Sequence, residues 1–188
     1  MWSRKKSTLA ERDRVAAVPE GAPAAVIVAL ESPDQPEIAN FLAASDRYAQ
    51  SLYPAESNHL VDLSVLAAPN VSFFVARSDA VALGCGALVG NGDGSGELKR
   101  MWVAPAARGR GVGCRILEAI EERARLQGLG VLRLETGIHQ PEAIGLYRRY
   151  GFAACAPFGS YRPDPLSLFM EKHFGPVGGK QVPPRAPL

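Results

Sequence analysis

Long apolar runs are missing from this sequence. No stretch of its 188 residues approaches the ~20 apolar positions that a membrane-spanning helix needs. The segment "AAVIVAL" at 24–30 follows a basic "RKK", but Glu11, Asp13, Pro19 and Glu20 intervene and no small-residue cleavage site comes after it. A secretion signal keeps its basic and apolar parts together, so 24–30 reads as a strand. Cysteine is scarce too. Cys85, Cys114 and Cys155 are odd in number and far apart. They form no C-x-x-C pair and no metal-ligand cluster with His59, His139 or His173, so neither a disulfide framework nor a metal site is expected. A reducing, cytoplasmic setting fits them, with each thiol packed as a small buried group. Excess charge is also lacking. Twenty-one Lys and Arg face nineteen Asp and Glu, a net +2 that argues for neither nucleic acid nor membrane as partner.

What is present is an ordinary globular composition, 47% hydrophobic and 21% charged, over a length that suits one domain. Residues 1–23 and the Pro- and Gly-rich 175–188 read as mobile tails around a domain at 24–174. Between the tails, strand and helix patterns alternate. Strands are expected at 25–31, 72–77, 80–89, 97–104 and 131–136. Helices are expected at 36–53, at 56–66 with Ser57 as its cap, after "RGRGVG", and at 141–152 up to Gly151. A last pair of strands, near 152–156 and 166–172, flanks a loop at 157–165. The sum is β-α-α-β-β-β-α-β-α-β-β, a mixed twisted α/β sheet flanked by helices. In the helix after the glycines, Gly113, Leu117, Ile120 and Ala124 form one stripe, with Glu118, Glu121, Glu122 and Arg125 off it.

The glycine turn "RGRGVG" at 108–113 carries the functional signal. Glycines let a backbone approach phosphate closely, and the turn's N–H groups converge with the positive end of the following helix. Arg108, Arg110 and Arg115 add charge nearby. The P-loop pattern G-x-x-x-x-G-K-S/T is absent. The dinucleotide pattern G-x-G-x-x-G fails at Cys114 when started at Gly109 and at Ile116 when started at Gly111. Glu135, at the end of the next strand, keeps a nucleotide-binding oxidoreductase open as an alternative. A third pattern, Q/R-x-x-G-x-G/A, is matched by Arg108, Gly111 and Gly113.

With the strand ending "MWV" before that turn and "AIGLYRRYGF" after it, the chain resembles the GCN5-related N-acetyltransferase (GNAT) superfamily over roughly residues 25–172. The resemblance implies acetyl-CoA as cosubstrate, with no metal. It implies that the strand before the turn splays from its neighbour, so that Met101, Trp102 and Val103 meet the pantetheine arm. Arg108, Gly109, Arg110, Gly111, Val112 and Gly113 would then meet the pyrophosphate. It also implies a primary amine acceptor, a small molecule or a peptide, attacked directly in a ternary complex. A homodimer is left open, and a catalytically silent acyl-CoA-binding module is the other alternative.

Acetyl transfer from a thioester calls for a base at the amine and an acid at the leaving sulfur. Tyr147, in the "LYRRYGF" segment, matches the family's acid; a phenol and a thiol ordinarily lose protons at about 9–10, so the exchange is near balance. Glu97 lies eleven residues before Arg108, where several family members carry a catalytic glutamate. Glu135 and His139 are the other candidate bases. The chain departs from the family at "GIHQPEA", where His139 or Gln140 replaces a customary Asn. Cys114, in the first turn of its helix, is the one thiol whose setting favours a thiolate.

Overall fold

The computed structural model describes residues 25–57 and 62–175. The two expected tails lie outside the described residues, apart from Gly175. Among the described residues, seven strands form one sheet in the order β1-β2-β3-β4-β5-β7-β6. The strands are β1 (Val26–Leu30), β2 (Val71–Ser78), β3 (Val81–Gly90), β4 (Ser95–Val103), β5 (Val131–Gly137), β6 (Ala153–Ala154) and β7 (Ser167–His173). Helices α1 (Pro36–Leu52), α2 (Leu63–Leu66), α3 (Val112–Leu126) and α4 (Pro141–Arg149) complete the expected order. Only β4 and β5 run parallel, because α3 carries the chain across between them.

Alternation along the strands supplies two apolar faces. Phe73 and Val75 of β2, with Cys85 and Ala87 of β3, pack against Ile38 and Leu42 of α1 and Leu66 of α2. Phe74 and Ala76 point the other way, into a larger core with Ile116, Leu117 and Ile120 of α3 and Tyr147 of α4. Pro36 sits at the helical start of α1, where its missing N–H costs nothing. Gly151, with φ 84°, follows the end of α4 in the left-handed conformation that stops a helix.

Two expectations need correction. The helix expected over 56–66 is a 3-10 turn at Ala55–Ser57 and then the four-residue α2, with Asp62 rather than Ser57 at its N-cap; residues 58–61 lie outside the described ones. Leu66 is the one buried anchor of α2, and one anchor supports one helical turn against the cost of nucleation. Glu121, expected on the solvent side of α3, is buried. Its carboxylate pairs with Arg125 one turn on at 2.9 Å and also with Lys172 of β7 at 2.5 Å. That second partner, which lets the carboxylate leave water, comes from a strand 51 residues away.

One irregularity shapes the site. Cys85 of β3 faces Trp102 and Ala87 faces Lys99, so Arg100 and Met101 of β4 stand against Gly86 alone. This is a β-bulge, and Arg100 takes a left-handed φ of 55° in it. A non-glycine residue held there stores about 1–2 kcal/mol. Its guanidinium, 8% exposed, is tied to the Asp46 carboxylate of α1, which fixes the strained residue in place. On its other edge β4 pairs with β5 only from Ser95 to Leu98, while β5 continues to Gly137. Beyond Leu98 the two strands part.

Candidate active site

The gap between β4 and β5 opens into three cavities that share walls. A groove of about 530 Å³ is bordered by Met101, Trp102 and Val103 of β4, the 108–113 turn, and Ala143, Leu146 and Tyr147 of α4. A central cavity of about 140 Å³ adjoins it and shares Met101, Gln140 and Tyr147 with it. An outer cavity of about 1100 Å³ shares Glu97, Lys99 and Tyr161 with the central one. It is closed on one side by the 158–166 loop.

The glycine turn has the geometry of a cradle. Gly109 and Gly111 hold φ values of 73° and 76°, and a Cβ built on either meets nothing within 4 Å. Gly111 is the N-cap of α3, so the helix's unpaired N–H groups begin there. Gly113 differs: it lies within α3, and an added Cβ would sit 3.4 Å from Leu146. Val112 is buried as the first anchor of α3, and it also borders the groove. The arginines divide. Arg108 borders the groove with its guanidinium 5.0 Å from the Trp102 ring and 5.8 Å from that of Tyr48. Arg110 is exposed and is not part of the groove wall. Arg115 turns to the Val26 carbonyl of β1 at 3.0 Å. Arg149 of α4 borders the groove and was not singled out from sequence. A long anionic ligand therefore has an open backbone cradle at one end of the groove and an unpaired strand edge along it.

Tyr147 lies where groove and central cavity meet. Its side chain is buried, and its hydroxyl has no hydrogen-bond partner among the described residues. Burial, with a smaller push from the Glu135 charge, holds the phenol well above its ordinary value. It therefore keeps its proton across the working pH range. The near balance between phenol and thiol inferred from sequence shifts toward a proton retained on oxygen.

Glu97 is buried between the central and outer cavities. Its Oε1 accepts from the Tyr161 hydroxyl at 2.7 Å and pairs with Lys99 Nζ at 2.8 Å. Lys99 also donates to the Tyr161 oxygen at 2.6 Å, which closes a three-membered cluster. Oε2 of Glu97 has no partner among the described residues. Tyr161 loses its proton less readily than usual, first because it is buried and then because it donates to Glu97. Glu135 also borders the central cavity and accepts from Ser167 at 2.6 Å. His139 is exposed; its backbone N–H donates to the Tyr53 hydroxyl at 2.8 Å, and its ring stacks on that tyrosine. Gln140, not His139, reaches both groove and central cavity. Cys114 is part of the groove wall.

Lys99, Tyr53 and Tyr161 also reach this site, and none of them was given a catalytic or cofactor role from sequence. Lys99 had a signal, because it lies two residues from Glu97 on one strand and so on the same face. Tyr53 had none: it reaches the site by packing its ring on Gly137, where an added Cβ would lie 2.2 Å from the tyrosine. Gly137→Ala should therefore lower stability by about 1–3 kcal/mol, read as a fall in thermal midpoint. An unchanged midpoint would mean that Tyr53 is free to move aside.

The acetyltransferase (GNAT) family description matches residues 27–152. The chain belongs to this family. It is 53% identical over 148 residues to the IAA acetyltransferase of Azospirillum brasilense, covering 78% of this chain and 97% of that one. A Klebsiella pneumoniae structure assigned as an acyl-CoA N-acyltransferase is 37% identical, with a TM-score of 0.67 over 79% of this chain and 97% of that one. The PaiA N-acetyltransferase of Thermoplasma acidophilum, solved with coenzyme A, matches with a TM-score of 0.61 over 80% of this chain and 99% of that one. At 17% identity that likeness speaks for the fold alone. The chain is thus an N-acetyltransferase of the GNAT family, which takes acetyl-CoA as cosubstrate and small-molecule or peptide amines as acceptors. The oxidoreductase alternative falls with that membership. No helix among the described residues is long and apolar enough to cross a membrane.

Proposed function

We propose that this enzyme transfers acetyl from acetyl-CoA to a primary amine by direct attack within a ternary complex, with Glu97 as base and Tyr147 as acid. The observation that carries the reading is the placement of both residues on one small cavity, with the groove on Tyr147's side and the outer cavity on Glu97's. Acetyl-CoA, when bound, supplies an activated acetyl thioester. The turn at 108–113 would hold its pyrophosphate through backbone N–H groups, and the free edge of Met101–Val103 its pantetheine arm. Gln140 stands in for the customary Asn at the join. No thiol is invoked as an acyl carrier.

Glu97 Oε2 takes the proton of the attacking amine, directly or through one water. Oε1 is held by Tyr161 and Lys99, and that clamp fixes which oxygen turns to the cavity. The Tyr147 hydroxyl, still protonated and free of partners among the described residues, donates at the position of the departing sulfur. In buried surroundings its hydrogen bond to the charge developing on sulfur is strong, while the raised phenol makes full transfer of the proton harder than from an ordinary tyrosine.

Glu97→Gln tests the base. The acidic limb of the kcat/KM profile should vanish or move, with acetyl-CoA affinity kept. Because an amine's own deprotonation also shapes that limb, two acceptors of different pKa are needed. A limb that follows the acceptor and ignores the substitution would show that the enzyme selects free amine without this base. The name carried by the Azospirillum relative makes IAA one compound to include among the candidate acceptors.

A further inference from the structure

The join between the central and outer cavities presents one vacant acceptor and one vacant donor side by side. Glu97, whose side chain is 11% exposed, has Oε2 unpartnered among the described residues. Lys99, 18% exposed, has three ammonium donors. One goes to Glu97 Oε1 and one to the Tyr161 hydroxyl, which leaves the third without a partner among the described residues. Both side chains border both cavities. Arg133 of β5 is the register partner of Glu97 and borders the outer cavity. It pairs with Glu171 through Nε only, at 3.2 Å, so its two terminal nitrogens stay open. Arg162, on the loop that closes the outer cavity, has no partner among the described residues.

The remaining acids of the outer wall each engage one oxygen with neighbouring groups of the chain. Asp93 accepts from the N–H and hydroxyl of Ser95, and Asp164 accepts from the Leu166 N–H. Among the described residues, Glu97 is therefore the one carboxylate of the outer wall that also borders the central cavity, with several cationic donors beside it. A plain cationic amine would gain at Glu97 but face Lys99, Arg133 and Arg162. A ligand with an amine and a carboxylate a bond or two apart satisfies both signs at once.

We propose that the acceptor is a free amino acid or a close zwitterionic analogue. Its nitrogen lies at Glu97 Oε2, its carboxylate at Lys99 Nζ and the Arg133 fork, and its side chain in the outer cavity beside Phe158 and Leu166. This rests on the reading of Glu97 as the amine side of the site. In the step, the nitrogen of the neutral amine bonds to the acetyl carbon and the carbon–sulfur bond breaks. Glu97 takes the nitrogen's proton, and Tyr147 supplies the one that leaves with the sulfur.

The experiment measures thiol release from acetyl-CoA by the purified full chain. It compares the twenty free L-amino acids with their amides and with decarboxylated amines of the same side chain. Turnover of some free amino acids is expected, with the matching amides and amines weaker by at least about tenfold in kcat/KM, mostly through KM. Lys99→Met should erase most of that preference and Lys99→Arg should restore it, with thermal midpoints checked to show that both variants fold. Amides or decarboxylated amines used equally well would overturn the proposal while leaving acetyl transfer to amines intact. So would turnover of no free amino acid by a chain that binds acetyl-CoA in calorimetry. A chain that binds no acetyl-CoA at all would remove the underlying functional reading as well.

Discussion

Tyr147→Phe is expected to lower kcat by about 10²-fold while acetyl-CoA affinity stays nearly unchanged. The ring packs against Phe152 with centroids 5.8 Å apart and sits in the larger core, and phenylalanine keeps all of that. Only the hydroxyl is lost, and it makes no hydrogen bond among the described residues. A structural tyrosine would show the loss in its thermal midpoint; here the midpoint should hold and kcat should fall. Because burial keeps the phenol protonated, the effect should be the same across neutral and mildly alkaline pH, without a limb of its own. Full kcat in the variant would remove the acid assignment.

Gly111→Val should weaken acetyl-CoA binding at least tenfold, the second large effect. Two causes act together. The φ of 76° is strained for any L side chain, by about 1–2 kcal/mol, and most of all for a β-branched one. The new side chain would also enter the open space that the turn presents to the groove. Gly113 is a gentler position than its place in the motif suggests, since a Cβ there makes ordinary contact with Leu146. Gly113→Ala should therefore cost less, and so should Arg108→Ala, because Arg108 leans on Trp102 and Tyr48 rather than standing free over the turn. Calorimetry on the folded variants ranks them; equal affinity in Gly111→Val and the wild type would contradict the phosphate-turn assignment.

The order of elements was readable because each strand and helix carries its own period, and Gly111 and Gly151 mark a helix start and a helix stop by backbone chemistry alone. Residues that act through their own backbone were readable for the same reason. Glu97 and Tyr147 came from the family's spacing, and the structure sets them on one cavity. What escaped depends on contacts between distant segments. The hydrogen bond from Tyr161 to Glu97 spans 64 residues, and the ion pair of Asp46 with Arg100 spans 54. The bulge at Arg100 was equally hidden, since no glycine or proline marks it on β4 itself; its strain is held by that ion pair and is visible only once α1 is packed on the sheet.

On the proposed reading, the groove between β4, the glycine turn and α4 takes acetyl-CoA. Titrating acetyl-CoA into the wild-type chain by calorimetry, beside NAD and NADP, tests it most directly. A single saturable site for acetyl-CoA, lost in Gly111→Val and absent for both dinucleotides, is the predicted result. No heat with acetyl-CoA, or binding that Gly111→Val leaves untouched, would contradict it.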